Sequence, residues 1–237
     1  MKATLIAHTQ LSSRIHSGEL GHKGLNNIQD LIAYCARVSN PANQANTKTT
    51  PKLLQYLIDN KHWSPFEMAS ATIEVNTTRD IARQLLRHRS FSFQEFSQRY
   101  ADVNGLGDAF ELRQARMQDP KNRQNSIPCN DIGTQLWWDA QQKFIIEHVQ
   151  RIYDEALEKG IAKEQARAIL PEGNTKSRLY VNGTIRSWIH YCELRASNGT
   201  QQEHMDLAKA IATAIGKIYP SMTDFIPATI TRKDCND

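Results

Sequence analysis

Residues 79–100 gather side chains that bind anions. Residues 87–100, RHRSFSFQEFSQRY, hold three arginines and one histidine but a single acid, Glu95. Just before them, Arg79, Arg83 and Arg87 recur at every fourth position, so a helix stacks their like charges on one face. Solvent can screen such a face, or an anion can bind to it. Since a planar guanidinium donates two parallel hydrogen bonds to phosphate, the segment predicts a phosphorylated ligand, with a solvated charged surface as the alternative.

Two further segments place polar side chains where helices are expected. Arg186, His190 and Glu193 follow one face of a predicted helix, and Arg195 lies at its end. Residues 64–67, SPFE, match a capping box, and a helix start directs free N–H groups toward any nearby anion. Each pattern has a structural alternative, a surface charge ladder for the first and a simple helix cap for the second.

Several common sites are excluded by the spacing of their key residues. The glycines at 105 and 107 lack the third glycine and the preceding apolar strand of a dinucleotide fingerprint, and residues 173–177 lack the glycine-rich lead of a P-loop. The 4 cysteines form no CxxC pair and the 8 histidines no HExxH motif, so we expect neither a metal site nor a disulfide framework. Buried, reduced thiols are the expectation for the cysteines.

The composition is that of an ordinary globular protein. The 237 residues are 40% hydrophobic and 23% charged, without a linker-like segment, and this predicts one domain over 1–237. No apolar run approaches the length of a membrane span, and the first ten residues are too polar for a signal peptide, so the expected location is the cytoplasm. The net charge of +4 permits an anionic ligand without demanding nucleic acid.

The elements that must position these side chains follow from hydrophobic periodicity. Alternation predicts strands at 3–8 and 71–76 and extended chain at 91–93. Helical spacing predicts helices after a cap at Asn26 or Asn27, from Thr50, and over 78–89, 131–159, 162–170, 184–196 and 200–218, the last opened by a capping box at Thr200 and Glu203. Residues 102–130 are expected to form a polar surface excursion and 221–237 a tail. The class is α/β (α+β).

The motifs together resemble a known family. RHRSFSFQEFS matches the signature Arg-His-Arg, seven residues, Ser of the flavin-dependent thymidylate synthases. Further segments resemble family blocks in family order: ARVS (36–39), HWSPFE (62–67), ARQLLRHR (82–89), SQRY (97–100), ARAILP (166–171) and RSWIHYCELRA (186–196). The resemblance spans about residues 35–218. It implies a twisted, largely antiparallel sheet flanked by helices, and a homotetramer with active sites where subunits meet.

The resemblance also implies a reaction and its residues. The reaction is reductive methylation of dUMP to dTMP, with 5,10-methylenetetrahydrofolate as carbon donor and NADPH as reductant through FAD. The implied FAD contacts are Ser64, Arg87, His88, Arg89, Glu95, Thr184, Arg186 and His190, with Ser39 as a further candidate. The implied dUMP contacts are Gln84, Leu85, Leu86, Arg87, Glu95, Phe96, Ser97, Gln98, Arg99, Arg167 and Arg195. Arg195 is the expected catalytic residue, since a guanidinium can stabilise a uracil ring ionised at N3.

Two other functions compete with this interpretation. A basic nucleic-acid-binding module would use residues 79–99 to follow phosphates and their phenylalanines to stack on bases, with binding that weakens steeply in salt. A flavoprotein of the same ancestry without methylation activity is the other. The sequence departs from the family pattern at Thr184 and His190, where some members carry asparagine.

Overall fold

A four-stranded sheet organises the chain. The computed structural model describes residues 1–16, 24–197 and 199–225, so most of the predicted tail, 226–237, lies outside the described residues. The strands are β1 (Lys2–His8), β2 (Ser70–Thr78), β3 (Ser92–Glu95), β4 (Arg116–Gln118), β5 (Ser126–Pro128) and β6 (Lys176–Thr184). The helices are α1 (Ser13–His16), α2 (Ile28–Ala36), α3 (Thr50–Asp59), α4 (Arg79–Leu85), α5 (Ile132–Glu158), α6 (Lys163–Ala166), α7 (Ile185–Arg195) and α8 (Gln202–Gly216).

All pairings in the main sheet are antiparallel, in the order β1-β2-β6-β3. Val181 of β6 lies opposite Ile73 of β2 on one side and Phe93 of β3 on the other. The strands predicted at 3–8 and 71–76 are confirmed as β1 and β2. The expected mixed class with an antiparallel sheet flanked by helices is confirmed as well.

Helices α7 and α8 cover the buried face of the sheet. Ile73, Ile185, Trp188 and Ile211 are completely buried in this core. The Trp188 indole Nε1 donates a hydrogen bond to the Ala71 carbonyl over 3.2 Å, which ties α7 to β2 and satisfies the polar atom of a buried ring. Because α7 begins directly after β6, the same packing fixes where both ends of α7 lie.

Strand β6, which pairs with both β2 and β3, is missing from the sequence-based prediction. Ser177, Leu179, Val181 and Gly183 alternate as buried residues along it. Only two of these four are large and apolar, so the alternation in hydrophobicity that marks a strand is weak. Its position between two strands, rather than its own sequence, makes it the centre of the sheet.

Both predicted capping boxes are wrong. Ser64 begins a short 3-10 helix, Ser64–Met68, whose N-cap is Trp63, and no side chain caps it. Helix α8 begins at Gln202 without a side-chain cap, and Glu203 forms an ion pair with Arg113 over 3.0 Å instead. The carboxylate that a capping box would direct to the backbone of residue 200 thus pairs with a distant arginine.

The segment 102–130 is mostly exposed but contributes to a second apolar cluster. Val103, Ala109 and Phe110 pack there against Tyr153 of α5 and Ala166 of α6. Strands β4 and β5 pair as a small antiparallel hairpin within the same segment. The segment is therefore mostly at the surface, as its polar composition predicts, but Val103, Ala109 and Phe110 are buried and attach it to α5 and α6.

Gly183 of β6 is expected to tolerate no side chain. A Cβ there would lie 2.3 Å from the Phe91 ring, which is itself confined 4.4 Å from the Trp188 ring, measured between centroids. We expect Gly183→Ala to lower the free energy of unfolding by about 1–3 kcal/mol. Thermal unfolding measures this. Gly105→Ala is the matched control, since a Cβ at Gly105 meets nothing within 4 Å, and equal melting of the two variants would contradict the expectation.

Candidate active site

The end of α7 brings two predicted site residues together. Arg195, the last residue of α7, donates a hydrogen bond from Nε to Nε2 of His88, at 2.9 Å. His88 lies in the turn after α4, half-buried. Burial, together with the charge of Arg195, lowers the pKa of His88 to about 4. The imidazole is therefore neutral near pH 7 and accepts from the guanidinium, which orients that guanidinium.

Gln84, a predicted dUMP contact, is held by two residues at the start of α8, Gln201 and His204. Its Oε1 lies 3.0 Å from Nδ1 of His204, and its Nε2 donates to Oε1 of Gln201 over 2.7 Å. The other ring nitrogen of His204, Nε2, lies 3.1 Å from the Tyr191 hydroxyl. The sequence-based prediction does not include His204. The sequence does contain an indication of its burial, because His204 stands three residues before Leu207 on the buried face of α8.

Buried His204 and half-buried His88 predict a stability that falls in mild acid. Burial, then the charges of Arg195 and His88, lower the pKa of His204 to about 3, and that of His88 is about 4. The unfolded chain, with histidine pKa near 6.5, binds these protons first, so the free energy of unfolding is highest above pH ~6.5 and declines toward pH ~4. Each histidine contributes at most about 1.4 kcal/mol per pH unit.

Urea unfolding at pH 7, 6 and 5 measures this decline. His204→Asn, which removes one of the two groups, is expected to make it shallower. A free energy of unfolding that stays constant from pH 7 to 5 would contradict the pKa directions given for both histidines.

The other end of α7 carries a second group of predicted contacts. Arg186, in the first turn, lies 2.6 Å from Glu67, measured from Nη1 to Oε1. The His190 ring meets the Trp63 ring edge to face at a centroid distance of 4.4 Å, and burial and Arg186 lower the pKa of His190. Ser64 is exposed in the neighbouring 3-10 helix. The block HWSPFE thus lies against α7, as a shared site requires.

The other predicted flavin contacts differ in whether their polar atoms already form hydrogen bonds within the chain. The Thr184 hydroxyl caps α7 by accepting from the Ser187 amide at 3.3 Å, which leaves its second lone pair for a ligand. Arg87 and Arg89 are exposed, and within 1–16, 24–197 and 199–225 neither has a hydrogen bond or ion pair. Ser39 is exposed after α2, and no described contact joins it to these residues.

A cleft of about 390 Å³ is lined by three arginines and two acids. Its charged and polar lining residues are Arg79, Arg83, Gln98, Glu164, Arg167 and Glu172. Burial, opposed by Glu95 but reinforced by Arg83 and Arg167, lowers the pKa of Arg79. Gln98 is only 3% exposed, and its Nε2 has no partner among the described residues. An orphaned buried donor beside three guanidinium groups fits an anionic, hydrogen-bond-accepting ligand.

Acids from distant segments balance part of this charge. Arg83 forms an ion pair with Glu172, and Arg99 lies 3.4 Å from Glu164. Glu95 accepts from the Ser177 hydroxyl at 2.7 Å and lies 3.6 Å from Arg79. The sequence pattern suggested cations without acidic partners, and for Arg79, Arg83 and Arg99 this is wrong because the acids come from elsewhere in the chain.

The remaining predicted dUMP contacts fall into two kinds. Leu85 is completely buried in the core, so its side chain is not available to a ligand, and Leu86 packs half-buried against the same core. The Phe96 amide donates to the Arg178 carbonyl at 2.8 Å, and the Ser97 hydroxyl accepts from the Arg99 amide at 3.4 Å. Within one chain, Gln98 and Arg167 share the cleft, whereas Gln84, His88 and Arg195 cluster near α8.

The structure also bears on the excluded functions. Phe91 is 8% exposed and packs on Trp188, so it offers no face for stacking on a nucleobase.

In the described part of the chain, no cluster of three or more His, Cys, Asp or Glu side chains is arranged to hold a metal ion, and no helix is long and apolar enough to cross a membrane. Cys129 and Cys192 are buried thiols, and burial raises the pKa of Cys192.

Comparison with known proteins gives a consistent result. The model of the family described as thymidylate synthase complementing protein matches residues 23–221. A probable flavin-dependent thymidylate synthase of Paramecium bursaria Chlorella virus 1 is 54% identical over 200 residues, covering 84% of this chain and 91% of the relative. A flavin-dependent thymidylate synthase of Synechocystis sp. is 51% identical over 194 residues, covering 82% and 87%.

Among solved structures, the chain is similar to a UMP/dUMP methylase, PolB from Streptomyces cacaoi, in complex with 5-Br dUMP. The TM-score is 0.74 at 27% sequence identity, over 94% of this chain and 93% of that one. The same enzyme with 5-Br UMP gives a TM-score of 0.75 at 25% identity.

Proposed function

Because this chain belongs to the thymidylate synthase complementing protein family, we propose that it is a flavin-dependent thymidylate synthase. It converts dUMP to dTMP, with 5,10-methylenetetrahydrofolate giving the carbon and NADPH the reducing equivalents by way of FAD. The observation that carries the proposal is the identity of 54% and 51% with two relatives of that name over more than four fifths of the chain. Because NADPH and nucleotides are metabolites of the cytoplasm, we place the reaction there.

The residues near α7 fit a flavin dinucleotide. Arg87 and Arg89 are exposed cations that suit a pyrophosphate, and neutral His88 lies between them. FAD supplies the hydride chemistry when it is bound, and the protein orients the flavin and sets its electrostatic environment. We assign its binding to Ser64, Arg87, His88, Arg89, Glu95, Thr184, Arg186 and His190. The ion pair between Arg186 and Glu67 is half-exposed, so that guanidinium can share its donors with a ligand.

The cleft between α4 and residues 164–172 suits the phosphate of dUMP. Arg167 and the unpaired amide of Gln98 are the predicted contacts there, and Arg79 and Arg83 extend the set. Their signal in the sequence was the recurrence of arginine at every fourth position. The uracil ring lies toward Gln84 and Arg195 in this proposal.

Arg195 has the chemical role. Uracil C5 is a weak nucleophile until negative charge develops on the ring, and a guanidinium near N3 stabilises that charge. The hydrogen bond from Arg195 to His88 uses Nε and leaves the two terminal amino groups for the substrate. A neutral His88 suits this, because a protonated ring would repel the guanidinium rather than accept from it.

We also propose assembly into a homotetramer with active sites shared between subunits. Helix α5 supports this, since Ile132, Leu136 and Phe144 are 69%, 67% and 69% exposed in a single chain. Exposed apolar groups of this size on one helix mark an interface between proteins. Light scattering is expected to give four times the chain mass, and a monomer would contradict the assembly.

The visible spectrum of the purified protein tests the function. We expect a flavin spectrum that NADPH bleaches in a dUMP-dependent manner, and release of the C5 hydrogen of dUMP into water when the folate donor is present. A colourless protein that cannot be reconstituted with FAD would contradict the proposal. Bleaching without hydrogen release would leave a flavoprotein that does not methylate dUMP, and salt-sensitive binding to DNA alone would favour the nucleic-acid-binding alternative.

A further inference from the structure

His204 is a polar residue in an otherwise apolar position. It is completely buried on α8, on the same face as Leu207 and Ile211. An imidazole in such a place is costly unless its nitrogen atoms have partners. Both have them, since Nε2 lies 3.1 Å from the Tyr191 hydroxyl and Nδ1 lies 3.0 Å from Oε1 of Gln84.

The direction of each hydrogen bond in this network follows from chemistry. Gln201 donates from Nε2 to the Glu203 carboxylate at 3.0 Å, so its Oε1 faces Gln84, which must donate there and turn its own Oε1 toward Nδ1 of His204. The Tyr191 hydroxyl, which keeps its proton because burial raises its pKa well above the ordinary value, then donates to Nε2. A neutral imidazole that accepts at Nε2 carries its proton at Nδ1 and donates it to Gln84 Oε1. Gln84 then donates from Nε2 to Gln201 Oε1 over 2.7 Å. In this arrangement each of the three hydrogen bonds joins a donor to an acceptor.

The network therefore selects one of the two orientations of the Gln84 amide. With Oε1 turned toward His204, a flip would place the Gln84 amino group against the Nδ1 proton, two donors facing each other. One of the two Nε2 protons remains for another acceptor, since Gln201 takes the other. The Gln84 side chain thus offers a donor, rather than an acceptor, to whatever binds beside it.

We propose that His204 is a positioning residue that orients the Gln84 amide to donate a hydrogen bond to dUMP. The inference rests on the proposed function, in which Gln84 contacts the nucleotide. His204 itself does not touch the substrate. It acts through Gln84, and Tyr191 acts through His204 by fixing which nitrogen carries the proton.

The test compares His204→Phe with His204→Asn in steady-state assays of the full-length protein. The phenylalanine variant keeps a ring but removes both hydrogen bonds, so we expect KM for dUMP to rise about tenfold while KM for NADPH stays unchanged. The asparagine amide can replace the Nδ1–H donor, so this variant is expected to recover most of the dUMP affinity. An unchanged KM for dUMP in His204→Phe, or no recovery in His204→Asn, would overturn the proposal.

A double-mutant cycle identifies the route of the effect. In a Gln84→Ala background, His204→Phe is expected to change KM for dUMP by less than about twofold, because the group it positions is gone. Independent, multiplicative effects of the two substitutions would place His204 outside this network and contradict the proposal.

Tyr191→Phe keeps the test decisive if His204→Phe does not fold. It removes only the hydroxyl, and a rise of about threefold in KM for dUMP is expected because the ring can then adopt the wrong tautomer. An unchanged KM there overturns the proposal. A wild-type protein with no dUMP-dependent reaction would instead refute the proposed function, so the two failures are distinguishable.

Discussion

Arg195→Lys is expected to lower kcat for dTMP formation about a hundredfold or more while FAD remains bound, since removal of one pre-organised charge donor has an effect of this size. Lysine keeps the positive charge but loses the planar group that can contact His88 through Nε and the uracil ring through its other nitrogen atoms. The charge alone is insufficient, because its position relative to N3 is what stabilises the ionised ring.

Single-turnover measurement of dTMP and the flavin spectrum together check this expectation. Arg123→Lys, on the exposed chain between β4 and β5, is the matched control and is expected to behave as wild type. Turnover within a factor of about three of wild type in Arg195→Lys would remove Arg195 from its catalytic role. Loss of flavin together with turnover would assign Arg195 to cofactor binding instead.

Arg113→Ala is expected to cause the largest loss of stability. The Arg113 side chain is 14% exposed and lies 2.7 Å from Asp80 and 3.0 Å from Glu203. It also donates to the Gly173 carbonyl at 3.0 Å and to the Thr78 hydroxyl at 2.5 Å. One side chain therefore joins the segment 102–130 to the end of β2, to α4, to α8 and to the chain that precedes β6. Its removal leaves two half-buried carboxylates without their cation, at a cost of about 3–5 kcal/mol.

Thermal unfolding measures this loss, and a decrease of about 6–20 °C in Tm is expected for a chain of this length. Arg151→Ala is the matched control, because Arg151 forms an exposed ion pair with Glu155 on α5 at 2.7 Å. Such a surface pair contributes less than about 1 kcal/mol, so Tm should hardly change. Similar losses in the two variants would show that Arg113 is an ordinary surface cation.

Local patterns predict those parts of the fold whose hydrophobicity alternates or recurs strongly. Strands β1 and β2 are predicted correctly, and Asn27 caps α2 by accepting from the Asp30 amide at 3.0 Å, as expected. Helix α5 is predicted over 131–159 and spans Ile132–Glu158, capped by Asp131 and ending before Gly160, whose φ of 80° suits glycine. Strand β6 is not predicted because two of its four buried, alternating residues, Ser177 and Gly183, are small or polar.

The sequence by itself identifies the family of this protein, because the ordered motifs around RHR depend on residues close together in the chain. The arginine spacing over residues 79–87 leaves a phosphorylated ligand and a solvated surface as alternatives, since it does not reveal the acids that pair with Arg79 and Arg83. Only the tertiary structure decides which atoms face one another. Gln84 meets His204 across 120 residues and Arg195 meets His88 across 107, and contacts over such separations leave no periodic trace in the sequence. They arise because packing of α7 and α8 on the sheet brings these helices beside the end of α4.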